Sequence, residues 1–300
     1  MATAPLQFTH SDYTVTWICA LPKTELVVAG AMLDEEHPPL PAADSQDTNV
    51  YLLGRIGSHN VVIACLPAEK TGKVSAAIVA KELLRSFKSV RFGLMVGVGG
   101  GAPYYNVKLD NSAMDIDCEN DDSEEDDSED AQDIRLGDVV ISLQSKSSEA
   151  VVQYDFGKSL QGKEFIRTGR LNKPPSIVLS AIGMLQGQYE RKGHKLSEQL
   201  SKMVSDNPRM AKKFEYPGLA EDQLFKSNFV HLNDQKRCKD CCGSLDVNLV
   251  KRKKRDSTDI VLHYGTIGSA DQVMKDATLR DEWAQKEKIK CFEMEAAGKF

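Results

Sequence analysis

The stretch YTVTWICALP, at residues 13–22, decides the fold class. It combines β-branched and aromatic residues in a short apolar run that a proline ends, which is typical of a buried strand. The next segment, TELVVAGAMLDEE, has helical spacing, and strand-like and helix-like segments alternate along the rest of the chain. This alternation predicts an α/β protein in which helices cross between the strands of a sheet.

Further helices follow from the spacing of apolar and proline residues. Residues 71–87 have the periodicity of an amphipathic helix, and two consecutive prolines suit the first turn of another helix over about 176–190. A polar helix is predicted at about 195–213, whereas residues 218–258 are charged and aperiodic, which predicts an irregular loop region. The apolar positions of the first of these helices are Val74, Ile78, Leu83, Leu84 and Phe87.

The acidic residues are concentrated in one segment. Residues 110–133 hold 13 of the 44 Asp and Glu residues and contain no Lys or Arg. Such a block repels itself and has little apolar area to bury, so we expect a disordered insertion. It interrupts a single domain that spans 13–300 and follows a flexible N-terminus at 1–12. Phosphorylation of Ser123 or Ser128 is an alternative use of the insertion.

Composition and apolar run length indicate where in the cell the protein is expected to reside. The longest apolar runs are about half as long as a bilayer span requires, and the N-terminus lacks the pattern of a secretory signal. Seven cysteines, an odd number, favour reduced thiols over a disulfide framework. We therefore expect a cytoplasmic protein with no membrane or nucleic-acid partner. The basic run KRKKR, from Lys251 to Arg255, is a nuclear-import signal, a solvated loop or a counter-charge for the acidic segment.

Two short stretches could contribute to a binding site. GVGGGAP at 97–103 follows a strand-like segment, and its glycines would let backbone N–H groups approach a ligand; a tight turn without a ligand is the alternative. In FEMEAAG at 292–298, Glu293 and Glu295 share one face of a strand. A carboxylate there can accept hydrogen bonds from two vicinal hydroxyls, as ribose recognition requires, although solvated glutamates at a helix start are the alternative.

Motifs for other chemistry are incomplete. CKDCC at 238–242, with His231 nearby, could be half of a zinc site, but no second pair of ligands is evident, which favours a loop with free thiols around Cys238 and Cys241. The sequence contains no HExxH, GxSxG or phosphate-binding GxxxxGK[ST] pattern. We therefore expect no metal, no cofactor and no acyl-transfer chemistry.

Several stretches, taken together and in order from about residue 12 to residue 298, resemble the nucleoside phosphorylase and nucleosidase superfamily. The similarity is closest to the form found at the N-terminus of fungal NLR-like and ankyrin-repeat proteins. The stretches are WICALPKTEL, MLDEEHPPLP, YLLGRIGSHNVVIACLP, FGLMVGVGGGAP, IRLGDVVIS, VVQYDFGK, LNKPP, HYGTIGSADQVMKD and CFEMEAAG.

The resemblance implies a fold and a reaction. The fold is a three-layer α/β/α sandwich around a mixed central sheet, with the site at the strand ends. The reaction is cleavage of the N-glycosidic bond of a purine ribonucleoside or nucleotide, including methylthioadenosine- and S-adenosylhomocysteine-like substrates. Its transition state carries positive charge on the ribosyl ring, and the leaving purine is protonated. A homo-oligomer is an open alternative to a monomer.

The resemblance also assigns residues. Glu295 is similar to the glutamate that holds the ribose 2′- and 3′-hydroxyls, and Met294 to the methionine beneath the sugar. Glu25 resembles the carboxylate that activates water, although it stands one residue further from the first strand than in the family. The resemblance places Gly99 and Gly100 beside the ribose and base, and Val273 and Met274 along the purine.

The same positions favour water over phosphate as the nucleophile. Phosphorylases of this superfamily carry an arginine near the place of Met95, whereas this chain offers a carboxylate for water. Hydrolysis is therefore expected, with phosphorolysis, and phosphate as a second ligand, as the alternative. In the family a further helix and strand follow FEMEAAG and end in the aspartate that protonates the purine. Their absence before Phe300 predicts a C-terminally truncated domain that either is active or binds nucleosides without turnover.

Overall fold

A computed structural model describes residues 8–104, 132–233, 235–242, 246–255 and 257–298. The strands are β1 Val15–Cys19, β2 Glu35–His37, β3 Tyr51–Ile56, β4 His59–Cys65, β5 Phe92–Met95, β6 Gly100–Gly101, β7 Val139–Ser142, β8 Val151–Gln153, β9 Gly157–Lys158, β10 Ile166–Arg167, β11 Leu262–Ser269 and β12 Ile289–Glu293. The helices are α1 Val27–Ala31, α2 Lys73–Ser86, α3 Ser176–Lys192, α4 Leu196–Asp206, α5 Ala211–Phe214, α6 Cys238–Cys241 and α7 Ala277–Glu287.

The first sheet is built around β1, which is buried along its whole length. β1 lies between β4 and β5 and runs parallel to both, and β3 and β2 extend the sheet antiparallel beyond β4. Trp17 pairs with Ile63 on one side and with Leu94 on the other. A strand with parallel neighbours on both sides is covered on both faces, which explains its nearly continuous apolar sequence.

Side chains of β1 alternate between two hydrophobic cores. Ile18 faces a core that includes Val79 and Leu83 of α2, whereas Trp17 faces a core that includes Ala29 of α1. Full burial of a side chain the size of Ile18 contributes about 1.5–3 kcal/mol to folding. The central position of β1 therefore follows from its sequence.

The second sheet joins strands from the later part of the chain. β12 lies between β6, which is antiparallel to it, and β11, which is parallel. The other edge of β11 pairs first with β7 and then with β8. The predicted α/β class with mixed strand directions is confirmed. Ten of the twelve strands in the described residues form two mixed sheets of five rather than one central sheet, and β9 and β10 pair antiparallel with each other. Residues 96–99 lead from β5 in the first sheet to β6 in the second.

Helix α2 covers most of the range predicted for it but buries a different face. Ala76, Val79 and Leu83 are buried, as is Phe87 just after the helix. Three residues predicted to be apolar contacts are instead exposed, namely Val74 at 69%, Ile78 at 52% and Leu84 at 52%. The small Ala76 lets the helix lie close to the sheet, which turns the larger aliphatic side chains outward.

The other predicted helices are also present. α3 agrees with the helix expected over about 176–190, and the polar helix expected at about 195–213 is divided into α4 and α5. Within the part of the chain that the structure describes, no helix is both long and apolar enough to cross a membrane.

The predicted acidic insertion at 110–133 lies outside the described residues except for Gln132 and Asp133. Tyr104 and Gln132 form an antiparallel bridge through two backbone hydrogen bonds of 3.1 and 2.7 Å. The buried Gln132 amide also donates to the carbonyls of Ala102 and Ile289 at 2.6 and 3.1 Å. Gln132 therefore belongs to the folded domain rather than to the insertion.

The start of the domain is likewise more ordered than predicted. Residues 1–7 of the expected flexible N-terminus lie outside the described range. Phe8 stacks on His37 with the ring centroids 3.9 Å apart, and Thr9 forms a reciprocal cap with Asp12. These contacts attach residues 8–12 to the edge strand β2.

The basic run at 251–255 contributes to the folded domain through its two arginines. Arg252 lies 3.1 Å from Asp222, and Arg252 and Arg255 approach Asp133 at 3.8 and 3.5 Å. Asp133 is the last acid of the acidic segment, so the counter-charge interpretation holds at this residue. Nuclear import through this run stays a prediction.

Asp138 connects this region to the second sheet. Arg255 donates two hydrogen bonds to its carboxylate at 2.8 and 2.7 Å, and His263 Nε2 donates another at 2.9 Å. The backbone N–H groups of Arg135 and Val261 donate two more. Burial would raise the pKa of Asp138, but these donors together hold that pKa well below its usual range. Asp138 therefore fixes the start of β7 against β11.

We predict that Asp138→Asn lowers the free energy of unfolding by about 3 kcal/mol at neutral pH, because it leaves Arg255 without its buried partner. A carboxyl with a lowered pKa stabilises the fold above its unfolded-state pKa of about 3.9, and this contribution is lost as the pH falls through its folded-state pKa. The cost of the substitution should shrink below about pH 4. Urea denaturation from neutral pH to below about pH 4 tests the prediction, with Asp259→Asn at an exposed position as control. Equal losses of unfolding free energy in the two variants would contradict it.

Candidate active site

A cavity of about 790 Å³ opens where strands of both sheets end. The carboxyl end of β5, the carboxyl end of β12 and the segment after β1 all contribute to its wall. In α/β folds this end of the strands is where ligands bind, because loops there can present polar groups to an open crevice. Six acidic residues line the cavity, and three of them, Glu25, Glu293 and Glu295, lie at or just after the strand ends.

Glu25 is positioned by a π-helical turn at Pro22–Leu26. The backbone N–H of Leu26 donates to the carbonyl of Leu21, five residues earlier, at 3.1 Å. A π turn contains one more residue than an α turn, so it accommodates the extra residue that the sequence shows between β1 and Glu25. The glutamate is consequently brought to the cavity despite the longer interval.

The Glu25 carboxylate connects two segments of backbone. Its Oε2 accepts hydrogen bonds from the N–H groups of Ala20 and Leu21 at 2.6 and 3.0 Å, and its Oε1 accepts one from Val98 at 2.9 Å. A Cβ atom at Gly97 would lie 2.5 Å from Oε1, so this position requires a glycine. Each carboxylate oxygen can accept two hydrogen bonds, which leaves one acceptor position on Oε1.

The glycine segment also lies close to β12. A Cβ atom at Gly99 would be 3.3 Å from the carbonyl oxygen of Phe292 and 3.4 Å from the Cys291 sulfur. Gly100 pairs with Phe292 in the second sheet. The glycines therefore allow close packing between the two sheets, and their role in a binding site stays a prediction.

Glu295 is buried and faces the N-terminus of α2. Its Oε1 accepts a hydrogen bond of 2.9 Å from the N–H of Gly72, the residue that precedes the helix. Gly72 has φ +92°, and a Cβ there would lie 2.7 Å from Asp271, so both the conformation and the space require glycine. Burial raises the pKa of Glu295, and the negative charge of Glu25 adds to that rise while the Gly72 N–H opposes it.

Glu293 ends β12 and is half-buried. Its Oε2 accepts hydrogen bonds from the N–H groups of Glu295 and Ala296, both at 2.8 Å. Its Oε1 is buried and has no hydrogen-bond partner among the described residues. Burial raises the pKa of Glu293, because the ionised form loses its hydration.

The structure brings together only part of the predicted site. Glu25, Gly99 and Glu295 line the cavity, whereas Gly100, Val273, Met274 and Met294 are not among its lining residues. Val273 is 64% exposed, and Met274 packs against the core of the second sheet. Met294 is half-buried in the turn after β12, because the strand ends at Glu293 and its alternation does not continue.

Three arginines in the cavity wall were not anticipated from the sequence. Arg135, Arg252 and Arg280 line the cavity, and each pairs with an aspartate, namely Asp133, Asp222 and Asp281. They come from separate segments, so no motif groups them. The sequence signal that could have suggested them is the IRLGD stretch, which carries Arg135 beside a cavity-lining loop.

No family model matches the chain. A nucleotide-binding leucine-rich repeat (NLR)-like protein of Hyaloscypha variabilis is 38% identical over 287 residues, which are 96% of this chain and 25% of the relative. The chain thus spans about a quarter of the length of the curated relative it matches. The similarity to NLR-like proteins, predicted from the motifs, is confirmed.

Solved structures similar to the chain are nucleosidases. Futalosine hydrolase of Helicobacter pylori is 16% identical, with a TM-score of 0.42, and the match covers 97% of this chain and 78% of that one. The 5′-methylthioadenosine/S-adenosylhomocysteine nucleosidase of Neisseria meningitidis, in complex with methylthio-immucillin-A, is 16% identical, with a TM-score of 0.44; the match covers 95% and 77%. Both belong to the group of proteins that the sequence motifs resemble.

We predict that Gly97→Ala destabilises the fold by about 1–3 kcal/mol, because the added methyl group displaces the Glu25 carboxylate or the backbone. Urea denaturation measures the change. Gly183→Ala is the matched control: Gly183 lies within α3 with open space around it, so alanine should stabilise by about 0.5–1 kcal/mol. In a Glu25→Ala background, Gly97→Ala should lower the free energy of unfolding by less than it does in the parent. An equal loss in both backgrounds would show that the two residues are not coupled.

We also predict that Glu293→Gln removes a pH-dependent loss of stability. A carboxyl with a raised folded-state pKa favours the fold below its unfolded-state pKa of about 4.3, and this contribution is lost as the pH rises through the folded-state pKa. The variant should therefore gain stability relative to the parent between about pH 5 and pH 8. Urea denaturation with the exposed Glu36→Gln as control tests this, and parallel pH profiles for parent and Glu293→Gln would rule it out.

Proposed function

We propose that this chain cleaves the N-glycosidic bond of a purine ribonucleoside or nucleotide, with water as the nucleophile. The observation that carries the proposal is that Glu25 and Glu295, which lie far apart in the sequence, present carboxylates to one cavity at the strand ends. The volume of that cavity, about 790 Å³, lies within the range of small-molecule sites and accommodates a nucleotide.

The carboxylates suit the charge that develops in this reaction. As the glycosidic bond breaks, the ribosyl ring becomes positively charged, and fixed negative groups stabilise that charge in a site shielded from water. Glu295 uses one acceptor position for Gly72 and keeps others for the two ribose hydroxyls. Its place at the helix N-terminus fixes the carboxylate before substrate binds.

Glu25 is proposed to act on the nucleophile. The acceptor position that remains on its Oε1 can take a proton from a water molecule as that water attacks the ribosyl carbon. The three backbone donors hold the carboxylate in place, so it need not reorganise during the reaction. The leaving purine takes up a proton from a general acid as the bond breaks, which balances the proton that Glu25 removes from water.

The arginines bear on the 5′ group and on phosphate. Arg135, Arg252 and Arg280 give the cavity wall cationic groups that a 5′-phosphate could approach, which supports a nucleotide as well as a nucleoside. Each guanidinium already pairs with an aspartate, so free phosphate would have to compete with a carboxylate. A 5′-phosphate meets the same competition, so the arginines do not favour one nucleophile over the other, and the preference for water rests on Glu25.

A second candidate is a module that binds a nucleoside without cleaving it. The observation that favours it is that both oxygens of Glu25 already accept backbone hydrogen bonds, an arrangement that a purely structural carboxylate would share. The two candidates differ in turnover, not in binding.

Release of free base from adenosine, methylthioadenosine, AMP and ATP, with and without phosphate, tests the proposal. We expect release that does not depend on phosphate. Glu25→Gln should lower kcat by about 10²–10⁴-fold, as loss of a general base does, and Glu36→Gln should leave it unchanged. Glu295→Gln should lower kcat/KM by about 10²-fold through weaker hold on the ribose hydroxyls.

Each other outcome has a defined meaning. Calorimetric binding of adenosine without base release from any substrate would favour the binding module over the nucleosidase. Release that requires phosphate would replace hydrolysis with phosphorolysis. If the chain neither binds adenosine nor releases base from any substrate, both candidates are overturned.

A further inference from the structure

The loop between Leu224 and Val250 is closed at its base by backbone pairing. Lys226 N–H donates to Asn248 at 2.9 Å, Val250 N–H donates to Leu224 at 2.8 Å, and Phe225 bridges Leu249. The region predicted to be irregular, 218–258, thus contains a closed loop. We call residues 225–249 the cysteine loop, because it carries Cys238, Cys241 and Cys242.

The cysteine loop has little apolar interior. Three of its described aliphatic side chains, those of Val230, Leu232 and Val247, are 77%, 67% and 77% exposed, so they do not form a core. The buried side chain at its centre is Cys242, at 2% exposure. A segment this small without a hydrophobic core usually requires a cross-link or a metal ion to keep one conformation.

Ligand atoms of His231, Cys241 and Cys242 meet at that centre, with the Cys241 sulfur 3.8 Å from His231 Nε2, and the Cys238 sulfur lies beside the histidine. His231 Nδ1 lies 3.4 Å from the Cys238 sulfur and 3.3 Å from the Cys242 sulfur, and the sulfurs of Cys241 and Cys242 are 3.6 Å apart. One ligand atom from each of His231, Cys241 and Cys242 lies within 4.8 Å of the others. With Zn–S bonds of about 2.3 Å and Zn–N bonds of about 2.0–2.1 Å, a tetrahedral ion separates its ligand atoms by about 3.5–3.8 Å.

The histidine is also held as a metal ligand would be. Its Nε2 lies 2.9 Å from the carbonyl oxygen of Lys236, and because a carbonyl can only accept, Nε2 carries the proton. The other nitrogen, Nδ1, then presents its lone pair towards the sulfurs of Cys238 and Cys242. A ligating histidine commonly donates its second N–H to a backbone carbonyl, which fixes the tautomer and the ring orientation.

We propose that His231, Cys238, Cys241 and Cys242 bind a zinc ion. The three thiols lose their protons to solvent on binding, so three thiolates and a neutral imidazole surround the ion. All four positions come from the protein, which makes the site structural rather than catalytic. From the sequence, these residues could be half of a zinc site, and free thiols were favoured because no second pair of ligands is evident. In the structure, Cys242 and His231 lie beside the CxxC pair and supply the second pair.

The position of the loop gives the ion a second consequence. Residues 221–224, which lead into the loop, and Arg252, which follows it, line the candidate active-site cavity. Ser227 also accepts a hydrogen bond of 3.3 Å from Thr278 at the start of α7. The zinc ion therefore orders a segment whose two ends form part of the cavity wall, whatever reaction takes place there.

Elemental analysis of the chain purified without chelators tests the site. We expect about one zinc ion per chain, since the four ligands form a single tetrahedral site. Cys241→Ser, Cys242→Ser and His231→Gln should each lose most of the zinc, whereas Cys65→Ser, a half-buried cysteine of β4 remote in sequence from the loop, should retain it. Cobalt substitution provides a second readout, because thiolate ligation gives intense charge-transfer absorption that the three variants should weaken.

Several results would overturn the proposal. One is a folded parent chain that contains no zinc and takes up neither added zinc nor cobalt. Another is bound zinc that survives all three substitutions. A third is reaction of the loop thiols with Ellman's reagent at the same rate with and without zinc. Circular dichroism of each variant separates loss of the ion from loss of the whole fold.

Discussion

The hydrogen bonds of the Glu25 carboxylate are the interaction on which the candidate site depends. One oxygen holds the backbone after β1 and the other holds the backbone after β5, so a single side chain sets the distance between two adjacent strand ends. Hydrogen bonds to a charged acceptor are about twice as strong as those between neutral groups, which suits a contact at the rim of a cavity. Gly97 provides the space for this contact. The glycine segment then continues to β12, where the other two carboxylates lie.

The three carboxylates have different surroundings, and these differences suit different tasks. Glu25 accepts three backbone hydrogen bonds, Glu295 accepts one at a helix N-terminus, and Glu293 keeps a buried oxygen without a partner. Burial of several acidic groups near one another opposes their ionisation and costs stability. Proteins retain such a loss of folding stability where the groups serve binding or catalysis. The cluster of carboxylates is therefore consistent with a site for a ligand that becomes positively charged.

The sequence predicted the parts of this structure that depend on local patterns. The apolar run of β1 and the proline start of α3 depend on neighbouring residues alone, and both were placed correctly. The exposed face of α2 was not predicted correctly. The periodicity of the aliphatic residues does not show which face packs on the sheet, and the face that carries the small Ala76 is the one that does. The arginines of the cavity were missed for a related reason. They meet only when separate segments fold together, and no spacing in the sequence encodes that meeting.

The bridge between Tyr104 and Gln132 has a consequence for how this domain can vary. Because Tyr104 and Gln132 are hydrogen bonded to each other, the segment that joins them begins and ends at adjacent points of the fold, whatever its length. The entropic cost of closing such a segment rises by only about 0.6 kcal/mol for each doubling of its length. The position is therefore a tolerant insertion point, at which related proteins can gain, lose or exchange whole segments while the cavity stays intact.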